Sequence, residues 1–178
     1  IIVWGGNPVS TQVNFMTHVS RARKARGAKL VVVDVYRTPT AEVADLFIPV
    51  RPGTDGALAC AMMHVLFEEG YADRNYLSAH TDIPSGLEGH LAERGSEWAA
   101  PITGVPAKDI IAFARLFGKT KKSFIRVGYG FSRSRNGSAN VHAVTCLLYT
   151  WHFCTSELSM LTMLLPIRSH FGMSLNTN

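Results

Sequence analysis

Leu46-Phe47-Ile48-Pro49-Val50-Arg51-Pro52-Gly53-Thr54-Asp55-Gly56-Ala57-Leu58 is the stretch that decides the fold. An apolar run suited to a strand passes through a Pro-Gly turn directly into a helical pattern, which continues as Ala59-Cys60-Ala61-Met62-Met63-His64-Val65-Leu66. Pro52 fixes one backbone dihedral and Gly53 leaves the main chain bare, so a ligand can approach the backbone where strand becomes helix. Asp55 stands at the helix start. There a carboxylate either caps the first backbone amides or accepts from the paired N–H donors of a ligand. Loops of this kind at strand ends are where an open α/β sheet holds a nucleotide.

The beginning of the chain repeats the theme. Ile1-Ile2-Val3-Trp4 reads as a strand, Gly5-Gly6-Asn7-Pro8 as a tight turn, and residues 11–26 as a helix with Val13, Met16, Val19 and either Ala22 or Arg23 at helical spacing. Gly27 ends the helix. Leu30-Val31-Val32-Val33 is a continuous apolar run of the sort a sheet covered on both faces requires, and Asp34 closes it. An acid at the tip of the second strand of a βαβ unit is placed to accept from a ribose. The first turn lacks a GxGxxG fingerprint, which makes a nicotinamide-dinucleotide site the weaker reading. A later strand, Ser123-Phe124-Ile125-Arg126-Val127, leads into Gly128-Tyr129-Gly130. Between them lie helical patterns at residues 73–79, 85–93 and 106–116, the last with an apolar face of Ile110, Ile111, Phe113, Ala114 and Phe117. The predicted fold is α/β: a Rossmann-like, three-layer open sheet, mostly parallel, with helices on both faces.

Trp4-Gly5-Gly6-Asn7-Pro8, Asp34 with Arg37-Thr38-Pro39-Thr40-Ala41-Glu42-Val43-Ala44-Asp45, Arg51-Pro52-Gly53-Thr54-Asp55-Gly56-Ala57-Leu58, Ile102-Thr103-Gly104-Val105-Pro106-Ala107 and Gly128-Tyr129-Gly130-Phe131-Ser132-Arg133 occur in an order that resembles the molybdopterin oxidoreductases of the dimethyl sulfoxide reductase superfamily. That superfamily includes formate dehydrogenases, nitrate reductases and biotin sulfoxide reductases. The resemblance implies a domain holding one of two molybdopterin guanine dinucleotides that chelate molybdenum or tungsten, inside an enzyme of two-electron redox or oxygen-atom transfer. By position, Asp55 matches the guanine reader and Asp34 the ribose acceptor. Gly5, Asn7 and Thr11 match residues beside the pyrophosphate or nearby sugar. Pro52 and Gly53 shape the guanine loop, while Gly128, Tyr129, Gly130 and Arg133 match the part nearest the pterin. Val35 and Tyr36 stand before Arg37 where the family commonly has Pro and Arg, which makes Tyr36 a candidate for stacking on the base. Each piece also has a plainer reading: turn chemistry for residues 5–8, a helix cap for Asp55, solvated charge for Arg133 and Arg135.

The 178 residues fit one domain, and the low charged fraction of 17% beside 47% apolar content implies surface meant for other protein, the remaining domains of a parent enzyme. The net charge of +5 raises the question of nucleic acid. Arg21, Arg23, Lys24, Arg26 and Lys29, however, gather at one helix end, where cations complement the dipole, and no aromatic interleaving accompanies them. Nucleic-acid binding is therefore not expected. Cys60, Cys146 and Cys154 form no CxxC, and the seven histidines show no metal spacing, so no metal site is expected within the chain and a reducing, cytoplasmic setting is the simplest. The likeness fades after Leu147. Residues 148–178 are expected to be an atypical tail that departs from the native reading frame or replaces the family sequence; a membrane helix is disfavoured there by Glu157 and many hydroxyls. Residues 1–147 are expected to form the cofactor-binding domain, incomplete on its N-terminal side and inactive alone. Two other classes stay open: a nicotinamide-type nucleotide binder and a noncatalytic α/β remnant.

Overall fold

The structure, a computed structural model, describes residues 1–82 and 84–151. All but the first four residues of the expected tail lie outside the described residues.

Four short strands build the sheet: β1 (Ile2–Trp4), β2 (Val31–Asp34), β3 (Leu46–Pro49) and β4 (Ile125–Val127). They lie in the order β3-β2-β1-β4, every neighbouring pair parallel, with Trp4 level with Val33 on one side and Val127 on the other. The chain thus winds outward from β1 in one direction and later returns to its other side. That reversal puts a topological switch point between the carboxyl ends of β1 and β4.

Side-chain alternation explains the layers. Ile2, Trp4, Val31, Val33 and Ile48 point into the larger core, whereas Val3 and Val32 join Val19, Leu30 and Ala41 in a smaller one. The larger core is roofed by α4 (Asp55–Glu68), α7 (Ser96–Thr103), α8 (Ala107–Lys119) and α9 (Gly137–Thr150), and the smaller by α2 (Val13–Arg26) and α3 (Pro39–Glu42). Helices on both faces are what the uninterrupted Val31-Val32-Val33 run demanded. Two helices, α5 (Arg74–His80) and α6 (Pro84–Leu91), complete the middle of the chain, and Asp73 caps α5 by accepting from the Tyr76 amide at 2.8 Å.

Three details differ from expectation. The helix predicted over residues 11–26 is split: α1 (Pro8–Thr11) ends at Gln12, whose φ of −147° and ψ of 61° are not helical, and α2 starts afresh at Val13. Pro8 explains the early start, since its fixed φ and missing N–H suit the first helical turn. Val13, expected on the apolar face, is 66% exposed: it is the first residue of α2, and the buried stripe of that helix lies further along, at Val19 and Ala22. The third difference is α7, a helix containing Pro101 that local pattern did not announce.

Charge is used to fasten the smaller layer. Asp45 Oδ2 accepts from the Leu30 amide at 2.8 Å and pairs with Arg23 at 3.3 Å, while Oδ1 lies 3.6 Å from Lys29. The Leu30 amide first, then the two cations, hold the Asp45 carboxyl below the usual range. Among the described residues no helix is long and apolar enough to cross a membrane, and no three His, Cys, Asp or Glu side chains are grouped to hold a metal ion.

Candidate functional site

The carboxyl ends of the four parallel strands carry the sequence-predicted residues: Gly5 and Asn7 after β1, Asp34 and Arg37 around the end of β2, Pro52, Gly53 and Asp55 after β3, and Gly128, Tyr129, Gly130 and Arg133 after β4.

At the switch point the backbones of two loops touch. The Gly128 amide donates to the Trp4 carbonyl at 2.7 Å, and the Gly130 amide to the Gly5 carbonyl at 3.2 Å. Gly5, at φ 63°, in turn donates to the Val33 carbonyl at 2.8 Å. The three strand ends are thereby tied by main chain alone, with no side chain between them.

Asp55 occupies the first position of α4 rather than the cap; Thr54 precedes it and makes no side-chain capping bond. The capping reading of Asp55 is therefore replaced by another. Its carboxylate turns to the sheet, where Oδ1 accepts from the Trp4 indole Nε1–H at 2.8 Å. Asp55 is 1% exposed, and Oδ2 is buried without a hydrogen-bond partner. Leaving such an oxygen unmatched costs about 1–3 kcal/mol, more if charged. Burial pushes the Asp55 carboxyl up from its ordinary value, and the Trp4 N–H offsets part of that. Asp34 is buried as well, its Oδ1 accepting from the Val35 amide at 2.7 Å. Burial raises its pKa, the Val35 amide opposes this, and the charge of Asp55 raises it further. Two buried acids on adjacent loops thus sit within electrostatic reach of each other.

The loop bearing Asp55 is clamped from both sides by residues that sequence reading missed. On one side the Arg51 amide donates to the Thr103 carbonyl at 2.9 Å and its guanidinium to the Pro101 carbonyl at 2.5 Å, satisfying carbonyls at the end of α7. On the other, Asn136 Nδ2 donates to the Gly53 carbonyl at 2.7 Å, and buried Asn140 accepts from the Gly56 amide at 3.0 Å. Asn136 and Asn140 are four residues apart on one helical face following a glycine-rich segment, and that spacing was the available signal. Trp4 stands at the end of β1 and opens the first of the family motifs, but nothing in the sequence marks its indole as a partner of Asp55.

Other predicted residues are held in different work. Asn7 Oδ1 accepts from the Thr40 hydroxyl at 2.8 Å, Thr11 Oγ1 donates to the Asn7 carbonyl at 2.9 Å, and the Val9 amide donates to Thr40 Oγ1 at 3.0 Å. The Ser10 and Thr11 amides both donate to the Asn7 carbonyl, so these first-turn amides of α1 are engaged within the protein. Thr11 ends α1 instead of opening a long helix, which corrects the expectation of a helix start there. The Arg37 guanidinium lies 4.9 Å over the Phe47 ring. Tyr36 and Tyr129 are exposed, at 62% and 70%, beside the strand ends; Pro52 and Arg133 are exposed too.

A cavity of about 480 Å³ lies behind the Gly53–Thr54 turn, between α4, α6, α7 and α9, lined by Cys60, Met63, Leu91, Trp98 and Cys146 among others. Neither acid nor the Gly5–Gly128 contact borders it, although Gly53, Gly56, Asn136 and Asn140, which belong to the Asp55 loop and its clamp, do.

The strand-end residues fit a ligand bearing N–H donors in one respect: Asp55 Oδ2 is a buried carboxylate oxygen with no hydrogen-bond partner. Comparison with known proteins gives the family. The family model "Molybdopterin oxidoreductase" matches residues 1–156. The probable oxidoreductase YoaE of Bacillus subtilis is 43% identical over 146 residues, covering 82% of this chain and 21% of that protein. Dimethyl sulfoxide reductase DmsA of Haemophilus influenzae is 34% identical, covering 83% of this chain and 21% of that one, and formate dehydrogenase H of Escherichia coli is 31% identical, covering 83% and 20%. Among solved structures, acetylene hydratase from Pelobacter acetylenicus superposes with a TM-score of 0.75 at 26% identity, over 86% of this chain and 21% of that one. The chain therefore spans about a fifth of the length of these relatives. With most of its length matched, the chain belongs to the molybdopterin oxidoreductase family, and not to the nicotinamide-dependent dehydrogenases that its βαβ opening alone left possible.

Proposed function

We propose that this chain is the part of a larger molybdenum or tungsten oxidoreductase that holds one molybdopterin guanine dinucleotide. The observation that carries the reading is Asp55, a buried acid with an unmatched oxygen on a loop clamped from both sides. A guanine edge presents N1–H beside an exocyclic amine. Asp55 Oδ2 takes one of these donors, and Oδ1, with a second lone pair beyond the Trp4 bond, takes the other. An adenine edge offers an acceptor where guanine offers N1–H, which would face the carboxylate unfavourably. Asp34 accepts from the ribose, and Gly5, Gly53, Gly128 and Gly130 let the remainder of the dinucleotide lie against backbone. The bound cofactor supplies the metal and its electrons; the residues here bind and orient it. The metal ligand and the cradle of a second pterin belong to other parts of the parent enzyme, and the chain by itself is inactive.

A thermal-shift titration of the chain with GDP and ADP tests the base reading. GDP should raise the melting temperature well beyond ADP at equal concentration; equal shifts would remove guanine from the assignment. Turnover of formate or an S-oxide by the purified chain would overturn its inactivity.

A further inference from the structure

Trp4 lies fifty-one residues before Asp55 in the sequence, yet its indole N–H is the hydrogen-bond donor that meets the acid's Oδ1 at 2.8 Å. The indole is fully buried, and its ring faces Phe113 at 6.5 Å between centroids with a 45° tilt. A planar donor packed this way cannot turn aside, so the direction of its N–H is fixed by the core. Asp55 is the first residue of α4, and the next amide, Gly56, is held by Asn140. Both the backbone beneath the carboxylate and one of its oxygens are thereby immobilised.

Resting on the reading of Asp55 as the guanine acceptor, we propose that Trp4 is the positioning residue for that carboxylate: its indole N–H holds Oδ1 in place, so that Oδ2 stands ready for a ligand N–H. Without the indole donor, the buried carboxylate loses the one side-chain donor it has, and burial then favours its protonated form more strongly. A protonated Asp55 would present an O–H where guanine also presents donors. Base recognition would then fail for electrostatic reasons although the loop kept its shape. The groups facing Asp55 are Trp4 from β1, Asn140 from α9 through Gly56, and Asp34 from the end of β2; of these only Asp34 titrates, and it is the charge of Asp55 that raises Asp34.

Trp4→Phe tests the idea, with benzothienylalanine in place of Trp4 as the isosteric second variant should the smaller ring unsettle the core. Two readouts are taken on the full chain: the Asp55 carboxyl titration followed by its ¹³Cγ shift, and GDP affinity against pH by calorimetry. A charge-assisted hydrogen bond of ordinary strength corresponds to roughly one to two pH units, so the Asp55 midpoint and the acid limb of GDP binding should both rise by about that much. Loss of packing alone would weaken GDP at every pH and leave the midpoint where it was; that outcome would overturn the role of Trp4 while leaving Asp55 as the base reader. Should the unaltered chain bind GDP no better than ADP, the base reading fails, and the carboxyl titration still decides whether Trp4 governs Asp55.

Discussion

Gly128 lies backbone against backbone on Gly5: a Cβ built on Gly128 would stand 2.0 Å from the Gly5 carbonyl oxygen and 2.8 Å from Gly6 Cα. The two loops at the switch point therefore meet as main chain, and the strand ends β1 and β4 are drawn together on the side where α/β sheets take their ligands.

Gly128→Ala forces those loops apart. It should cost about 1–3 kcal/mol of stability, as overpacking of a tight contact does, and should abolish the GDP-induced thermal shift. Gly6→Ala is the control, since its Cβ would find its nearest neighbour at 3.5 Å, an ordinary contact. Urea unfolding midpoints of the two variants should separate clearly; equal midpoints would mean that the close approach at Gly128 is easily relieved.

Asn140→Ala leaves the Gly56 amide without its acceptor at the first turn of α4. The expected loss is about 1–2 kcal/mol. Hydrogen exchange locates it: the Gly56 amide should lose protection while amides deep in α4, such as that of Met62, change only by the global amount. Uniform loss across the helix would count against a local clamp.

Much of this was legible beforehand, and the reasons are local. Apolar runs at residues 30–33 and 46–50 declare strands through composition, and Pro-Gly and Gly-Gly punctuate them in a way that survives any tertiary context. The positions of Asp34, Asp55 and Gly128 at strand tips followed from that order. What stayed hidden depends on partners far away in sequence. The Trp4–Asp55 bond spans 51 residues and the Asn140–Gly56 bond spans 84, so neither leaves a periodic trace. The α7 helix escaped because Pro101 argues against helix locally; carbonyls at its end are matched by Arg51, from a different loop. Thr11 was misplaced for a similar reason: Asn7 and Thr40 together hold a separate short turn that helical spacing alone joins to α2.

Arg51→Lys examines the second clamp. The planar guanidinium reaches the Pro101 carbonyl at 2.5 Å, with Ile102 near at 3.5 Å, and a lysine ammonium cannot reproduce that fork. The contact is exposed, so only about 0.5–1 kcal/mol of stability should go. The Gly104 amide, which donates to the Ala100 carbonyl at the end of α7, should exchange faster, and GDP affinity should fall less than in Asn140→Ala because the Arg51 main-chain bond to Thr103 remains. An undisturbed Gly104 would show that the guanidinium contributes nothing to the helix end.

The acids at the site set the direction of a pH effect. Asp34 and Asp55 both have folded-state pKa values raised above their unfolded ones, by burial foremost. Between the unfolded value and the raised folded value, the folded chain binds more protons than the unfolded chain, so stability from these groups falls as pH rises through that window. Asp45 runs the opposite way: its depressed pKa contributes stability that is lost only as pH falls below the ordinary carboxylate range. Asp55→Asn retains an oxygen for the Trp4 indole and removes the buried charge. It should therefore raise the urea midpoint more at pH 7 than at pH 5, while erasing the preference for GDP over ADP. A gain in stability bought with a loss of base recognition is what a site strained for a ligand produces. If the substitution instead destabilises the empty chain equally at both pH values, Asp55 serves the fold, and its unmatched oxygen is not held in reserve for a bound base.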